Sequence, residues 1–367
     1  MKKILFSAYS LNIGGIETAL VNLINYLVDQ EKYDITLALE KKEGIFLDTI
    51  SSKVNIIEYV PNENKNKLLR KIINGVNRIK FICKYKNKFD ASISYATYSL
   101  PGSFMARTAS KNCSLWVHNN YLAFFENNEK TYLDFFNNLN VKEFKNIIFV
   151  SQESKDNFKE RFNFDKEKLI VCNNLIDYRK IIEKSEENID FDLPTNNNET
   201  IFLNVGRHDE KQKNLTLLIE SAKRLKNDKC NFKILLVGNG ENTEEYKNKV
   251  RALSLEDNII FVGPQKNPYP YYKMANCVIL TSNFEGYPVV YVESMVLNKP
   301  IITTNVSDSL IDIKDRYGIV CEKNVEEIYC AMKKFIENGY IIKNPFNPEQ
   351  YNKDIIQKLE KIIDTKL

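Results

Sequence analysis

Two doubly wound, Rossmann-like α/β domains are predicted for this chain by three observations. Short β-branched runs alternate with longer amphipathic stretches from end to end, the pattern of parallel strands crossed by helices. From Lys184 to Glu199 the rhythm stops in a polar stretch broken by Pro194 and an asparagine run. After it the alternation begins afresh. The expected division is a first domain over 1–183, a linker over 184–199, a second domain over 200–344 and a C-terminal helix within 345–367 that could pack back toward the first domain. A chain of 367 residues is long enough for two separate cores.

The first strand is expected at Lys3–Tyr9. As a leader peptide its apolar stretch is too short, and it runs on into a glycine loop. That loop, Gly14-Gly15, opens a helix with Ile16, Leu20, Leu23, Ile24 and Leu27 on one face. Glycines at such a junction let a ligand approach the backbone, and the helix N-terminus offers free N–H groups to an anion. A tight turn explains them equally well, and the GxGxxG spacing of a dinucleotide site is missing. Further strands are expected at Tyr33–Leu39, Val54–Glu58, Ala91–Ser94, Cys113–Val117, Ile147–Val150 and Leu169–Cys172. His118, one of two histidines, directly follows the fifth of these. The second half gives Ile201–Val205, Phe232–Val237, Ile259–Val262, Cys277–Thr281, Pro300–Thr303 and Gly318–Cys321.

Two loops of the second half hold groups suited to a phosphorylated ligand. Val205-Gly206-Arg207 is followed by Lys213, which places two cations at the carboxyl edge of the sheet, where open α/β sheets bind ligands. Fixed cations suit a diphosphate, whose charge grows as it leaves. Glu285-Gly286-Tyr287-Pro288 ends the loop after Cys277–Thr281, and Pro288 is expected in the first turn of a helix. Glu293 is expected about two turns along it, so both carboxylates would face one ligand at the N-terminal end. A carboxylate suits paired sugar hydroxyls, as a helix N-terminus suits a phosphate. Two solvated glutamates on a surface helix remain the plain alternative.

Charge and cysteine usage exclude other classes. Residues 1–175 carry 25 Lys/Arg and 19 Asp/Glu, a net +6, while the remainder is at −2, too mild for a nucleic-acid binder. Seven cysteines without a CxxC pair fit neither a disulfide framework nor a zinc site, and point to buried free thiols in a reducing cytosol. No apolar run is long enough to span a membrane. The excess charge is concentrated: Lys65 to Lys88 holds nine Lys/Arg and no acid, among Leu68, Leu69, Ile72, Val76, Ile79 and Cys83 at helical spacing. The apolar face is expected to pack inward on its own sheet. The basic face, with Lys80, Lys84, Lys86 and Lys88, could rest on anionic lipid or simply be solvated.

In order along the chain, Gly14-Gly15-x-Glu17, Asn174-Leu175-Ile176-Asp177, Val205-Gly206-Arg207…Lys213-Asn214, Val237-Gly238-x-Gly240 and Glu285-Gly286-Tyr287-Pro288…Glu293 resemble the retaining glycosyltransferases of family 4. The similarity spans nearly the whole chain and is most specific from Phe202 to Thr304. It implies the GT-B fold, two Rossmann-like domains facing a central cleft. It also implies transfer from a nucleotide sugar, UDP-linked, to a lipid-linked glycan acceptor of capsule or cell-envelope synthesis. Carried over, Arg207 and Lys213 grip the donor diphosphate and Glu293 holds the ribose. Glu285 and the backbone from Gly286 through Tyr287 and Pro288 to Val289 meet the donor sugar and phosphate. Gly14 and Gly15 close over the donor. His118 matches the active-site histidine, so His118 and Glu285 are the expected catalytic residues. The step from Arg207 to Lys213 is one residue longer than the common spacing, which leaves Lys211 as a competitor, and Asn119 stands where many members carry an acid. No nucleophile suits double displacement. No cofactor and no metal are expected, the cations taking the metal's place. The expected location is cytoplasmic, peripheral on the inner membrane face. A nucleotide-sugar epimerase of the same fold and a non-catalytic partner subunit are the rival readings; a nicotinamide-binding protein is disfavoured.

Overall fold

A computed structural model describes residues 1–12, 14–189, 199–306, 314 and 316–364. Contacts divide the chain into two compact units. The first takes Met1–Ile176 and the C-terminal segment from Gln350, and the second takes Asp177–Glu349. Of the linker expected over 184–199, residues 190–198 lie outside the described residues, as does the predicted helix end at Thr365.

The first unit is built on seven parallel strands: β1 (Lys2–Ala8), β2 (Tyr33–Leu39), β3 (Asn55–Glu58), β4 (Ala91–Ser94), β5 (Cys113–Val117), β6 (Asn146–Phe149) and β7 (Leu169–Val171). Their order is β3-β2-β1-β4-β5-β6-β7. The second unit has β8 (Thr200–Val205), β9 (Phe232–Val237), β10 (Ile259–Gly263), β11 (Cys277–Leu280), β12 (Ile301–Thr304) and β13 (Gly318–Cys321), in the order β10-β9-β8-β11-β12-β13. Every pairing in both sheets is parallel. Both sheets are doubly wound, as the alternating runs predict. The winding reverses between β1 and β4 in one unit and between β8 and β11 in the other, and such reversals open a crevice at the carboxyl edge.

Strands β1, β5, β9 and β11 are buried on both faces over most of their length, which is why they read as continuous apolar runs. In the second unit Phe202, Ile234, Leu236 and Ile279 pack against Leu218, Ile219 and Ala222 of the helix Leu215–Asn227 and Met332 of Val325–Asn338. In the first, the helix Pro348–Asp364 buries Ile355, Leu359, Ile362 and Ile363. Asn112 fastens its end, Nδ2 donating to the carbonyls of Ile362 (3.0 Å) and Ile363 (3.2 Å). All seven cysteines are free. Cys113, Cys172, Cys277 and Cys321 are buried as expected, but Cys83 and Cys330 are exposed.

The basic helix, Lys67–Tyr85, overturns one expectation. Its aliphatic stripe does not pack inward: Leu68 is 70% exposed, Ile72 55% and Ile79 62%, and Leu69 and Val76 are also exposed. The inner face is instead Asn74, Asn77 and Phe81. Phe81 is the helix's one fully buried side chain, with ring centroids 5.5 Å from Tyr59 and 5.8 Å from Phe104. Asn74 clasps the preceding loop, accepting from the Asn62 N–H (2.7 Å) and donating to the Asn62 carbonyl (3.2 Å). Two aromatics, Phe81 and the half-buried Tyr85, and an amide clasp thus replace the aliphatic side as the packing face.

Candidate active site

In the second unit the loop after β8 carries Gly206 and Arg207. Two glycines behind it make room. Gly238 has φ +137°, and a Cβ there would lie 1.9 Å from the Gly206 carbonyl oxygen; at Gly240 it would lie 2.3 Å from that of His208. Backbone thus packs on backbone, and Gly206 N–H donates to Val237 O at 3.0 Å. His208 braces the same loops through Nδ1 and Thr243 Oγ1 (2.9 Å). Arg207 is left pointing outward and exposed.

A short helix, Glu210–Lys213, follows, and Asn214 in the left-handed region both ends it and caps the helix Leu215–Asn227. Lys213 turns back under Gly206, where an added Cβ would meet its Cε at 3.5 Å, and its Nζ reaches Glu285 Oε1 at 2.7 Å. Lys211 is exposed. Glu285, on the loop after β11, is nearly sealed from water. It also accepts from Ser282 Oγ (2.7 Å) on Oε1 and from Gln212 Nε2 (3.2 Å) on Oε2. The loops after β8 and β11, the two strands flanking the reversal, are thereby joined through one carboxylate.

Pro288 precedes the helix Val289–Val296 as its cap, with extended ψ of 124°, rather than entering the first turn. Glu293 therefore lies just over one turn inside, not two. It is buried, and both of its oxygens are taken: Oε1 accepts from Tyr269 Oη (3.2 Å) and Oε2 from Tyr272 Oη (2.7 Å). Burial raises its pKa above the ordinary carboxyl value, and the two hydroxyls pull it part of the way back. Glu285 and Glu293 thus sit in separate hydrogen-bond sets, one with Lys213 and one with tyrosines. Gly286, Tyr287 and Pro288, between them, are buried, and Val289 is half-buried.

In the first unit Gly14 caps the helix Gly15–Asp29 in extended backbone. The Glu17 carboxylate folds back against it, 2.1 Å from where a Cβ on Gly14 would stand, and Tyr98 hydrogen-bonds that carboxylate. His118, after β5, is stacked on Trp116 (centroids 5.7 Å, planes 8° apart) and lies 4.4 Å from the Tyr95 ring. Its backbone N–H donates to Thr97 Oγ1 at 3.3 Å. Neither ring nitrogen makes a well-formed hydrogen bond among the described residues. Burial pushes the ring pKa down to about 3, against a weaker opposing effect from the Tyr95 backbone, so the imidazole is neutral at physiological pH. Lys80, Lys84, Lys86 and Lys88 are all exposed.

Residues 185–362 match the family of glycosyl transferases group 1. A crystal structure of Anabaena Alr3699/HepE in complex with UDP and glucose has the same fold, with a TM-score of 0.75 and 18% identity over 98% of this chain and 100% of that one. The chain has the GT-B fold. The chain is 24% identical over 358 residues, 94% of its length and 92% of the relative's, to a Campylobacter jejuni protein. That protein is named N-acetylgalactosamine-N,N'-diacetylbacillosaminyl-diphospho-undecaprenol 4-alpha-N-acetylgalactosaminyltransferase. It is 28% identical to an uncharacterised glycosyltransferase of Methanocaldococcus jannaschii, over 73% of this chain and 65% of that one.

Sequence reasoning missed four polar partners in the site: Gln212, Ser282, Tyr269 and Tyr272. Gln212 and Ser282 are commonplace loop residues until the fold sets them on Glu285. The tyrosines left a signal. Tyr269-Pro270-Tyr271-Tyr272 is a dense aromatic run, and a buried tyrosine hydroxyl calls for a polar partner.

Proposed function

We propose that this chain is a glycosyltransferase that binds a UDP-sugar and passes the sugar, with retained anomeric configuration, to a lipid-linked glycan of cell-envelope or capsule synthesis. The observation that carries the reading is the Lys213–Glu285 pair beneath Gly206, set where the second sheet reverses its winding. Arg207 and Lys213 would receive a diphosphate and hold its growing charge as the glycosidic bond breaks. In the resting protein Glu285 keeps Lys213 oriented. Glu293, set apart, accepts from the ribose hydroxyls. His118, neutral, hydrogen-bonds the sugar being transferred. By the resemblance, Gly14 and Gly15, at the N-terminus of the helix Gly15–Asp29, would contribute to donor binding. The departing phosphate takes the acceptor's proton, and the two cations make a metal unnecessary. The HepE complex with UDP and glucose supports the donor class, and the diphospho-undecaprenol in the Campylobacter protein's name supports the acceptor class.

UDP and UDP-sugars are expected to raise the melting temperature in a thermal-shift panel, with GDP and NAD giving none, because a ligand of the native state stabilises by mass action. Transfer is expected to survive EDTA and to give a product with the donor's anomeric configuration by NMR. A metal requirement or an inverted product would overturn those parts of the reading separately.

We further propose that the enzyme works on the inner face of an anionic membrane. No helix among the described residues is long and apolar enough to cross one. The helix Lys67–Tyr85 instead presents Leu68, Leu69, Ile72, Val76 and Ile79 outward beside exposed lysines. Each basic residue near such a surface contributes about 1 kcal/mol, weakened by salt. Sedimentation with anionic but not neutral vesicles is expected, falling at high salt and on changing Lys80, Lys84, Lys86 and Lys88 to Gln. Equal sedimentation with both vesicle types, or none, would count against docking.

A further inference from the structure

We infer that Tyr269 and Tyr272 are positioning residues for the donor's ribose, and that through Glu293 they set the enzyme's preference for a ribonucleotide over a 2′-deoxyribonucleotide. The inference rests on the reading of Glu293 as the ribose-holding group. An ionised carboxylate has about four acceptor sites. Here one site on each oxygen is already spent on a tyrosine hydroxyl, Oε1 on Tyr269 and Oε2 on Tyr272. Two donors on two different oxygens fix both the rotation and the plane of the carboxylate, so one acceptor site per oxygen remains, at a set spacing and direction. That is the complement of two adjacent hydroxyls on one ring, and a ligand with one of them removed leaves a buried acceptor unpaired.

The tyrosines themselves are held. Tyr272 is fully buried, their ring centroids are 6.2 Å apart, and both lie on the short helix Tyr269–Met274, whose first-turn residue Tyr271 is also buried. Burial and the nearby Glu293 charge keep both phenols well above their ordinary pKa, so they stay protonated and remain donors. Glu293 has no cation beside it in its hydrogen-bond set; its charge is met by hydroxyls alone, which the ribose would supplement.

The test measures Kd for UDP and for 2′-deoxy-UDP by calorimetry, on the wild type and on Tyr269→Phe, Tyr272→Phe and Glu293→Gln. Phenylalanine keeps the ring, so only the hydroxyl is lost, and thermal melts confirm folding. The wild type is expected to prefer UDP by about tenfold or more. Each Tyr→Phe variant is expected to bind UDP several-fold more weakly and 2′-deoxy-UDP nearly as before, so that the preference narrows, most of all in the double variant. A role in packing alone would weaken both ligands equally and leave their ratio unchanged, which overturns the inference. If Glu293→Gln leaves UDP binding unchanged, the ribose assignment itself fails. If Glu293→Gln weakens UDP but the tyrosine variants alter neither Kd nor the ratio, the assignment stands and only the inference falls.

Discussion

Lys213→Ala is expected to destabilise the unliganded protein by about 3–5 kcal/mol and to abolish measurable UDP binding. The side chains of Lys213 and Glu285 are only 16% and 6% exposed, so the truncation leaves a carboxylate in a poorly solvated site with Ser282 and Gln212 as its remaining donors. Uncompensated burial of that charge, rather than the value of the pair, is what the melting curve would report. The double variant Lys213→Met/Glu285→Gln removes both charges and is expected to recover most of the stability without recovering UDP binding. Denaturant titration and calorimetry check the two halves. Single and double variants of equal stability would mean that the pair is solvated and open. UDP binding retained by either would move the phosphate contact to Lys211 and Arg207.

His118→Ala is expected to lower kcat by about 10²–10³ while leaving the Kd for UDP within a few-fold. The ring packs on Trp116 and Tyr95, and its nitrogens are the polar atoms it can offer a sugar. A group with a pKa near 3 does not switch charge across neutral pH, so the wild-type rate profile should show no inflection from it between pH 5 and 8. The stability profile should show one. A histidine depressed in the fold contributes stability that is present above its unfolded value, near 6.5, and is lost as pH falls toward about 3, because the unfolded chain takes up the proton first. His118→Phe should therefore flatten the acid limb of stability against pH. An unchanged acid limb would mean that the ring is reached by water, and an unchanged kcat would remove His118 from the reaction.

The strands of both sheets were legible in the sequence to within about a residue at each end, because strands buried on both faces must be short apolar runs. The loops that carry Arg207, Lys213 and Glu285 were legible for a related reason: polar residues directly after such runs fall at a sheet's carboxyl edge. What could not be read was which groups meet. Lys213 and Glu285 are 72 residues apart, and Tyr272 and Glu293 are 21 apart, and their pairing follows from strand order rather than from either local sequence. The helix Lys67–Tyr85 misled for a different reason. Periodicity shows that a helix has two faces but not which one is turned inward, and here Phe81, Tyr85 and an amide clasp outcompete five aliphatic side chains.

On the proposed function, that outward stripe bears on how the enzyme would find its second substrate. A polyprenol-borne sugar is confined to a sheet of fluid a few nanometres thick. An enzyme free in the cell volume must strike that sheet at the right place and in the right orientation for each turnover. One resting on it through Leu68, Ile72 and Ile79 shares the acceptor's plane, keeps one side toward it, and searches by lateral diffusion. Confinement raises the local acceptor concentration in the way a tether does, without any added contact to the acceptor itself. If the proposed docking holds, the turnover number would depend on the lipid composition beneath the enzyme as well as on the groups around the donor.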